Sequence, residues 1–333
     1  HKVVKLYAVL FLLSSLLLGE TTLKIATYNV ENLFDLKKNG HEYKEYIPNT
    51  KANWNQKTYK IKLKNIAQVI KDMDADIIAL QEIESLQALK DLRYTLKQKG
   101  LYYQYFKIAN KKDTTIKVAL LSKVPFVYAQ EVTVTSSYKY RNILEAKFKI
   151  NNQDLYLFVN HWKAKSGPES MRIVSAKALR KRIQSIGFDK NIILVGDFNS
   201  DYEEYKRFKR KRKLNDTNGR TGINDVLQTK NKQTKESLYN LWYDTTIEKR
   251  YSYMYRGKKE AMDNIIITPI LLSSSTIRYK KKSISAFDKE YLFKGKYPYR
   301  WKVSKAKIPK HKGKGYSDHL AVIAEFSVQE DTN

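Results

Sequence analysis

The 333-residue sequence contains no cysteine and has only 6 prolines and 12 glycines. Without cysteine, the chain can form no disulfide framework, no thiolate zinc site and no cysteine nucleophile. No Pro/Gly/Ser-rich linker, internal repeat or low-complexity tract interrupts the sequence, so nothing in it marks a boundary between domains. Hydrophobic residues make up 42% and aromatic residues 12%, a composition that suits a folded core and excludes a disordered chain.

Acidic residues are also scarce relative to basic ones. The 34 Asp and Glu residues face 63 Lys and Arg residues, which gives a net charge of +29. A charge this far from zero favours a polyanionic partner such as nucleic acid, or an anionic membrane surface. A genome-wide bias toward Lys, Asn, Ile and Tyr codons is the alternative, but Glu shares the codon bias of Lys and lags far behind it. We therefore interpret the excess as functional.

The first nineteen residues have the pattern of a secretory signal peptide. Lys2 and Lys5 give a positive start, residues 6–18 form an uncharged apolar run, and Gly19 ends it. The run is shorter than the ~20 residues that a membrane-spanning helix needs. An uncleaved anchor or a buried N-terminal helix is the alternative. The prediction is a secreted or periplasmic protein with a signal peptide at 1–19 and a single domain at 20–333.

Apolar strands alternate with amphipathic helical stretches along the rest of the chain. Helices are predicted over residues 59–73 and 170–186, where apolar residues recur at helical spacing. Strands are predicted over residues 23–28, 77–80, 117–122, 144–150, 155–160, 191–195, 264–268 and 320–326. Mixed elements spaced in this way predict a layered α/β fold, with sheets inside and helices outside.

Six short polar motifs stand at the ends of these strands. They are TYNVEN at 27–32, QE at 81–82, NHW at 160–162, GDFN at 196–199, MDN at 262–264 and SDH at 317–319. Loops at strand ends expose side chains while the sheet fixes their positions. A single Asp after a strand is more often a turn residue. Six motifs with carboxylate, amide or imidazole groups together predict an active site.

The order and wording of these motifs resemble the endonuclease/exonuclease/phosphatase superfamily, the DNase I-like metal-dependent phosphoesterases, and secreted bacterial nucleases among them. The resemblance extends from about residue 23 to residue 326. It rests on IATYNVENLF, IIALQEIE, ILVGDFNSD and YSDHLAVIAEF. The resemblance implies a DNase I-like α/β fold, a four-layer α/β/β/α sandwich, with the active site at one end of two packed sheets.

The resemblance also implies a metal site. A phosphodiester is anionic and repels nucleophiles, so a divalent cation must neutralise charge. Glu82 and Asp318 would hold this cation, with Asn29 supporting it and its waters. Mg²⁺ prefers oxygen ligands and retains several waters, so few carboxylates suffice. The expected cofactor is therefore Mg²⁺, with Mn²⁺ or Ca²⁺ as alternatives.

Five further residues would carry the chemistry. In the family, the pair matched by Asp197 and Asn199 orients the attacking water and contacts the scissile phosphate, and Asp197 would be the general base. Asp263 would orient His319, as a carboxylate orients a catalytic imidazole, and the pair would stabilise the transition state or share in proton transfer. His161 resembles the second histidine of the DNase I-like branch, a candidate general acid for the leaving oxygen. The carboxylate that pairs with that histidine in the branch has no match that we can assign here.

Two basic segments adjoin the motifs. Residues 206–213 contain seven basic residues in eight, and residues 278–315 contain fourteen basic residues against two acids, interleaved with aromatics. This composition is typical of a nucleic-acid-binding surface, although a solvated surface is the alternative for the shorter segment. Because guanidinium and ammonium groups bind phosphate, the predicted phosphate contacts are Arg141, Lys206, Arg207, Lys209 and Arg210.

Together these features predict a secreted, divalent-metal-dependent endonuclease that cuts DNA, or RNA, with little sequence specificity and without an obligate protein partner. Two alternatives stay open. A secreted phospholipid phosphodiesterase of sphingomyelinase type would use the same metal site and contact a membrane through aromatics between Phe287 and Trp301. A non-catalytic polyanion-binding protein would keep the basic surface on a decayed site.

Overall fold

The computed structural model of the protein describes residues 19–230 and 234–330. The predicted signal peptide therefore lies, apart from its last residue, outside the described residues. Among the helices that the structure does describe, none has the length and apolar character needed to cross a membrane.

The chain order of helices and strands follows the alternation that the sequence predicts. The helices are α1 (Gln56–Met73), α2 (Leu86–Gln98), α3 (Glu169–Ile186) and the single turn α4 (Glu204–Arg207). The strands are β1 (Glu20–Leu33), β2 (Ile77–Ile83), β3 (Tyr105–Ile108), β4 (Lys117–Ser122), β5 (Phe126–Val132), β6 (Ile143–Ile150), β7 (Gln153–His161), β8 (Ile192–Asp197), β9 (Tyr239–Asn240), β10 (Tyr253–Tyr255), β11 (Lys258–Glu260), β12 (Asp263–Ile267), β13 (Ile277–Tyr279), β14 (Ser285–Ala286), β15 (Phe293–Lys294), β16 (Tyr297–Pro298) and β17 (Val322–Gln329).

Two large sheets form the centre of the fold. The first has the strand order β13-β17-β1-β2-β4-β3, with β14 also paired to β17, and the second has the order β5-β6-β7-β8-β12-β9. In the first sheet β1 and β2 are parallel and β17 is antiparallel to β1. In the second sheet β7 and β8 are parallel and β12 is antiparallel to β8. Consequently the ends of β1, β2, β7 and β8 and the starts of β12 and β17 lie at matching edges of the two sheets.

Apolar residues of both faces of each sheet are buried, which gives the fold its layers. In β8, Ile193 and Val195 pack between the sheets, whereas Ile192 and Leu194 pack in the cluster that contains the buried face of α3. This alternation is the two-residue period of a strand. Helices α1 and α2 cover the outer face of the first sheet in the same way. The predicted four-layer α/β/β/α sandwich is confirmed.

Local signals explain where α1 begins and ends. Asn55 and Thr58 form a capping box, in which each side chain accepts a hydrogen bond from the other residue's backbone N–H. The helix ends at Asp74, whose backbone is left-handed with φ 49°. The apolar face that faces the first sheet includes Leu63 and Ile66. The predicted helix over 59–73 is thus confirmed and begins three residues earlier.

Gly196 permits a close approach of β7 and β8 at the edge where the polar motifs lie. It pairs with Asn160, and its φ of 136° is one that residues with a side chain rarely adopt. A Cβ at this position would lie 2.0 Å from the Asn160 carbonyl oxygen. Because the strands stay in register here, the next pair along is His161 opposite Asp197.

Candidate active site

Strand ends from both sheets meet in one cavity of about 620 Å³. Glu82, Asp318 and His319 reach it from the first sheet, and His161 and Asp197 reach it from the second. The motifs that are scattered along the sequence therefore converge in space. A cavity of this size can hold a phosphate together with the groups on either side of it.

Asn29 links the two sheets at the base of this cavity. Its fully buried Nδ2 donates hydrogen bonds to Glu82 Oε2 at 2.6 Å and to Asp197 Oδ2 at 2.9 Å. The Ser317 hydroxyl donates to the Asn29 carbonyl oxygen at 2.6 Å. One amide thus fixes the separation between a predicted metal ligand and the predicted general base.

Asp197 lies between two imidazoles. Its Oδ2 is 3.5 Å from His161 Nε2 and 3.7 Å from His319 Nε2, and its Oδ1 accepts a hydrogen bond from the Asn199 backbone at 2.9 Å. Burial raises the pKa of Asp197 to about 7, and the nearby Asp263 carboxylate adds to the effect. A carboxylate poised near neutrality suits proton exchange with a water.

His319 is held by a carboxylate. Its Nδ1 is 2.7 Å from Asp263 Oδ2, and that oxygen also accepts a hydrogen bond from the Ser252 hydroxyl at 2.6 Å. Burial alone would lower the pKa of His319, but the Asp263, Asp197 and Asp318 carboxylates together raise it well above its ordinary value. The imidazole is therefore charged at neutral pH, with Nε2 directed toward Asp197.

His161 has the opposite surroundings. Among the described residues, its buried Nδ1 has no hydrogen-bond partner. Arg141 Nη1 lies 3.4 Å from the carbonyl oxygens of His161 and Trp162. Burial, the Arg141 guanidinium and charged His319 lower the pKa of His161 well below its ordinary value. His161 is therefore a neutral imidazole beside the same carboxylate that faces charged His319.

The acidic groups of the cavity fit a divalent cation. Glu82 has a left-handed backbone with φ 63°, and burial followed by the charge of Asp318 raises the pKa of its carboxyl. Asp318 Oδ1 is buried and has no hydrogen-bond partner in the part of the chain that the structure describes. Ligand atoms of Glu82, His161 and Asp197 lie within 4.8 Å of one another. Crowded, poorly satisfied carboxylate oxygens are what a hard divalent cation would bind and neutralise.

Two residues beside the predicted metal ligands were missed by the sequence analysis. Glu31 is 5% exposed, and its Oε2 accepts hydrogen bonds from Arg300 Nε at 3.0 Å and from Arg300 Nη2. The same Nη2 is 3.6 Å from Asp318 Oδ2. Glu31 could have been found, since it stands two residues after Asn29 on the same strand end. Arg300 lies outside every motif.

Cations and aromatic rings also line the cavity. Arg141, a predicted phosphate contact, does so together with Lys165 and Lys211, and Lys165 Nζ is also 2.9 Å from Glu204. The rings of Tyr43 and Tyr255 are partly exposed at the same cavity. The entrance is therefore basic and partly aromatic.

The other four predicted phosphate contacts lie outside this cavity, and their binding to nucleic acid stays a prediction. Lys206 Nζ is 2.6 Å from Glu203, and Arg207 Nε is 3.1 Å from buried Asp201. Lys209 and Arg210 are exposed, and none of these four residues lines the cavity. Acidic residues just before this segment fold back onto its first two cations, which the count of basic residues could not reveal.

Three of the aromatics suggested as a membrane-contacting tip are buried in or packed against the core, whereas Tyr297 is 42% exposed. Phe287 is 8% exposed and Trp301 is 2% exposed, and both belong to the core beneath the first sheet. Tyr291 packs against the same core and donates its hydroxyl hydrogen to Asp72. These three rings therefore do not form an exposed apolar tip.

Comparisons with known proteins agree with this geometry. The model of the Endonuclease/Exonuclease/phosphatase family matches residues 24–327. No curated protein gives a significant match. An endonuclease/exonuclease/phosphatase family protein from Bacteroides thetaiotaomicron superposes with a TM-score of 0.57 at 16% identity, covering 93% of this chain and 99% of that one.

Two further solved structures share the fold. The mannosyl-6-phosphatase of B. thetaiotaomicron has a TM-score of 0.57 at 15% identity, covering 91% of this chain and 99% of its own. D. rerio TDP2, complexed with a single-strand DNA product, has a TM-score of 0.57 at 14% identity, covering 92% and 99%. Identities this low establish the likeness of fold and leave the substrate open.

Proposed function

Because the chain belongs to the endonuclease/exonuclease/phosphatase family of phosphoesterases, we propose that it is a divalent-metal-dependent nuclease that hydrolyses the DNA backbone. The observation that carries the proposal is the placement of Asp197 Oδ2 between two imidazoles, 3.5 and 3.7 Å away, in a cavity with a basic entrance. A carboxylate that can act as a base, an adjacent imidazole that can act as an acid and nearby cations together suit attack of water on an anionic ester.

Asp197 is the proposed general base. Its carboxylate is held by the Asn29 amide and the Asn199 backbone N–H, so the oxygen that accepts a proton from the attacking water has a fixed position. Asn199 is itself held, since its Nδ2 donates to the Trp162 carbonyl oxygen at 2.8 Å. Fixed positions lower the barrier because the reacting groups need no reorganisation.

His319 is the proposed acid, because Asp263 holds its Nδ1 while its Nε2, 3.7 Å from Asp197 Oδ2, lies in the cavity where the phosphate would bind. Charged His319 would stabilise the negative charge that develops on the phosphoryl oxygens and could pass its proton to the leaving oxygen. Neutral His161 is proposed as a hydrogen-bond donor to phosphate or to Asp197 rather than as the main acid. The division differs from the role that the family resemblance implies for His161.

Glu82 and Asp318 would hold the metal, with Asn29 keeping Glu82 in place. A divalent cation bound there supplies charge neutralisation for the anionic phosphate. Mg²⁺ is the proposed ion because the available donors are oxygens.

Three features support a nucleic acid substrate. The cavity is lined by Arg141, Lys165 and Lys211 together with partly exposed tyrosines. The chain carries a net charge of +29, which attracts a polyanion. A protein of the same fold, TDP2, has been solved with a single-strand DNA product.

The test is cleavage of plasmid DNA by the purified full chain with Mg²⁺, Mn²⁺ or Ca²⁺, with Asp197→Asn as the matched inactive control. Mannose 6-phosphate and sphingomyelin vesicles serve as competing substrates. Cleavage of DNA that requires metal and Asp197 supports the proposal. A folded sample that releases phosphate only from the sugar, or phosphocholine only from vesicles, would overturn it in favour of another phosphoesterase.

We also propose that residues 1–19 direct export of the protein, on the basis of their sequence pattern. N-terminal sequencing of protein recovered from the medium or the periplasm checks this proposal. A cell-retained protein with an intact N-terminus would contradict it.

A further inference from the structure

Residues 299–316 fold back on themselves beside the active site, and we call this segment the basic hairpin. Backbone hydrogen bonds join its two arms, from Lys302 N to Lys314 O, from Lys312 N to Lys302 O and from Tyr316 N to Tyr299 O. The segment contains seven Lys and Arg residues and no Asp or Glu. It leads directly into the SDH motif of the active site.

The basic hairpin is firmly anchored despite its charge. Trp301 is 2% exposed, and its Nε1 donates to His311 Nδ1 at 2.9 Å. The His311 backbone donates to the Ala52 carbonyl oxygen at 2.9 Å. Gly315 has φ 98° and passes so close to Arg300 that a Cβ would lie 2.0 Å from the Arg300 carbonyl oxygen. The cations of this hairpin therefore have defined positions relative to the active site.

A second cavity of about 440 Å³ lies between the basic hairpin and residues 31–46. Asn32 lines both this cavity and the active-site cavity, so the two adjoin. Arg300, Lys302 and Lys305 contribute three cations to its wall. This cavity has no assigned role in the metal site or in the acid–base pair.

The charge of the second cavity favours an anion. Its wall also contains Glu31 and Glu45, so its three cations exceed its two acids by one charge, and Arg300 donates from Nε and Nη2 to Glu31 Oε2. Within residues 19–230 and 234–330, no hydrogen bond joins Arg300 Nη1 to an acceptor, and the side chain is 57% exposed. Lys302 and Lys305 are exposed as well. One edge of a fixed guanidinium and two ammonium groups are thus available to a ligand.

We propose that the second cavity is a phosphate subsite that binds a neighbouring phosphate of the nucleic acid strand whose scissile phosphate occupies the active site. This inference rests on the proposed nuclease function. A sugar monophosphate or an isolated phosphodiester has a single phosphate and can place it in only one of the two cavities, whereas a polynucleotide carries a phosphate at every nucleotide. Guanidinium groups bind phosphate through paired hydrogen bonds, and contacts of this kind fix the register of a strand.

Binding of fluorescent oligothymidylates to the full chain tests the subsite. The measurements use the His319→Ala protein with Mg²⁺, so that cleavage does not interfere. Arg300→Gln and the double variant Lys302→Gln/Lys305→Gln should each weaken binding of an octamer about tenfold or more, the range expected for a lost charged hydrogen bond. A dinucleotide, which has a single phosphodiester and cannot reach both cavities, should lose far less. The salt slope for the octamer should fall by about 0.7 for each lost contact.

The matched control is Lys307→Gln/Lys310→Gln, which removes two charges from the same hairpin at residues that do not line the cavity. It should change octamer affinity less than about twofold. Equal losses in the two double variants would overturn the subsite, because the hairpin would then act through a diffuse field. Unchanged affinity in both the Arg300 and the Lys302/Lys305 variants would also overturn it.

The double variant protects the test from one complication. Arg300 lies 3.6 Å from Asp318, so its removal also alters a proposed metal ligand, whereas Lys302 and Lys305 touch none. The readout is affinity and needs no turnover. If the variants lose affinity as expected but the wild-type protein cuts no DNA, the nuclease proposal is refuted and the subsite stands. If the wild-type protein cuts DNA but the variants bind the octamer as tightly as their parent, the subsite is refuted and the nuclease proposal stands.

Discussion

His161 and His319 flank the same oxygen of Asp197 at nearly the same distance, 3.5 and 3.7 Å, yet their other neighbours differ. His319 belongs to the first sheet and has Asp263 on its other nitrogen. His161 belongs to the second sheet, has Arg141 as its charged neighbour and leaves Nδ1 unpartnered. Two identical side chains are thereby driven to opposite protonation states.

Both imidazoles face Asp197 through Nε2. The difference shows that the groups around the rest of each ring decide its protonation state, and with it the role that it can have beside Asp197. A carboxylate on Nδ1 stabilises the charged ring, whereas burial and a guanidinium stabilise the neutral ring. Pairs of titratable groups whose surroundings push their pKa values apart mark an acid and its partner. We therefore expect the two histidines to respond differently to substitution, to exchange of their neighbours and to pH.

Removing His319 should have the largest effect. His319→Ala is expected to lower kcat for plasmid cleavage about 10³- to 10⁴-fold, because the charged donor that faces the phosphate is lost. DNA affinity should change little, since the basic residues around the cavity stay in place. Single-turnover cleavage and binding titration measure the two quantities. A loss of less than tenfold would rule out His319 as the principal acid.

Exchanging the neighbour should sharpen the contrast. Asp263→Asn is expected to lower kcat about 10²- to 10³-fold. It should also lower the pKa of His319, because the carboxylate that raises this pKa most is lost. Activity that needs charged His319 disappears as pH rises through that pKa, so the alkaline limb of the kcat profile should move to lower pH.

Ser252→Ala is the control for Asp263→Asn. It removes the hydroxyl that donates to Asp263 Oδ2 but keeps the carboxylate, so it should cost less activity and leave the limb nearly in place. An alkaline limb that stays fixed in Asp263→Asn would contradict the role of this carboxylate.

Substituting the neutral histidine should cost less. His161→Gln is expected to lower kcat about 10- to 10²-fold, since a hydrogen-bond donor beside Asp197 is displaced while the acid remains. The alkaline limb of the kcat profile should keep its position. A shift of the limb equal to that of Asp263→Asn would show that the two histidines share one role.

The smallest effect concerns stability without metal. Burial raises the pKa of Asp197 to about 7, above the ~3.9 of an unfolded Asp. The folded protein thus binds the extra proton between these values, and this contribution to stability is lost as pH rises through the window. In EDTA, the melting temperature should fall by a few degrees between about pH 5 and pH 8.

Mg²⁺ should reverse this loss, because it binds the ionised carboxylates, so its stabilising effect should grow with pH. Differential scanning fluorimetry with EDTA or Mg²⁺ measures both trends. Asp197→Asn, which cannot ionise, should show the flatter profile in EDTA. A variant profile as steep as that of the wild type would show that other groups cause the loss.

The sequence predicted the convergence of the site well, because its motifs lie where strands end or begin at one edge of each sheet, and packing of the two sheets brings those edges together. Glu82 and Asp197 each follow an apolar run, and the parallel pairs of the two sheets place both at the matching edges. Sequence alone also missed several elements, among them α2 and β5. Helix α2 could have been predicted, because its buried leucines recur at helical spacing. Strand β5 could not, because it is a largely exposed edge strand with little apolar pattern.

The basic residues were the least predictable part. Lys206 and Arg207 were expected at phosphate, but Glu203 and Asp201 pair with them. Arg300 reaches Asp318 only because Trp301 and His311 anchor the segment to residues 45–52. The placement of Arg300 thus depends on contacts between residues more than 200 positions apart, such as His311 with Glu45 and Ala52, and the sequence has no local signal for these contacts.

The division of the active site between two sheets has a consequence for when the folding chain can become active. Asn29, Glu82 and His319 come from one sheet, and Asp197, Asp263 and His161 come from the other. A chain in which either sheet has yet to form lacks half of the reacting groups, so it is latent until the sandwich closes. Incomplete folding thereby keeps the chain inactive, as a removable inhibitory segment does in a zymogen. The appearance of activity during refolding would report the docking of the two sheets.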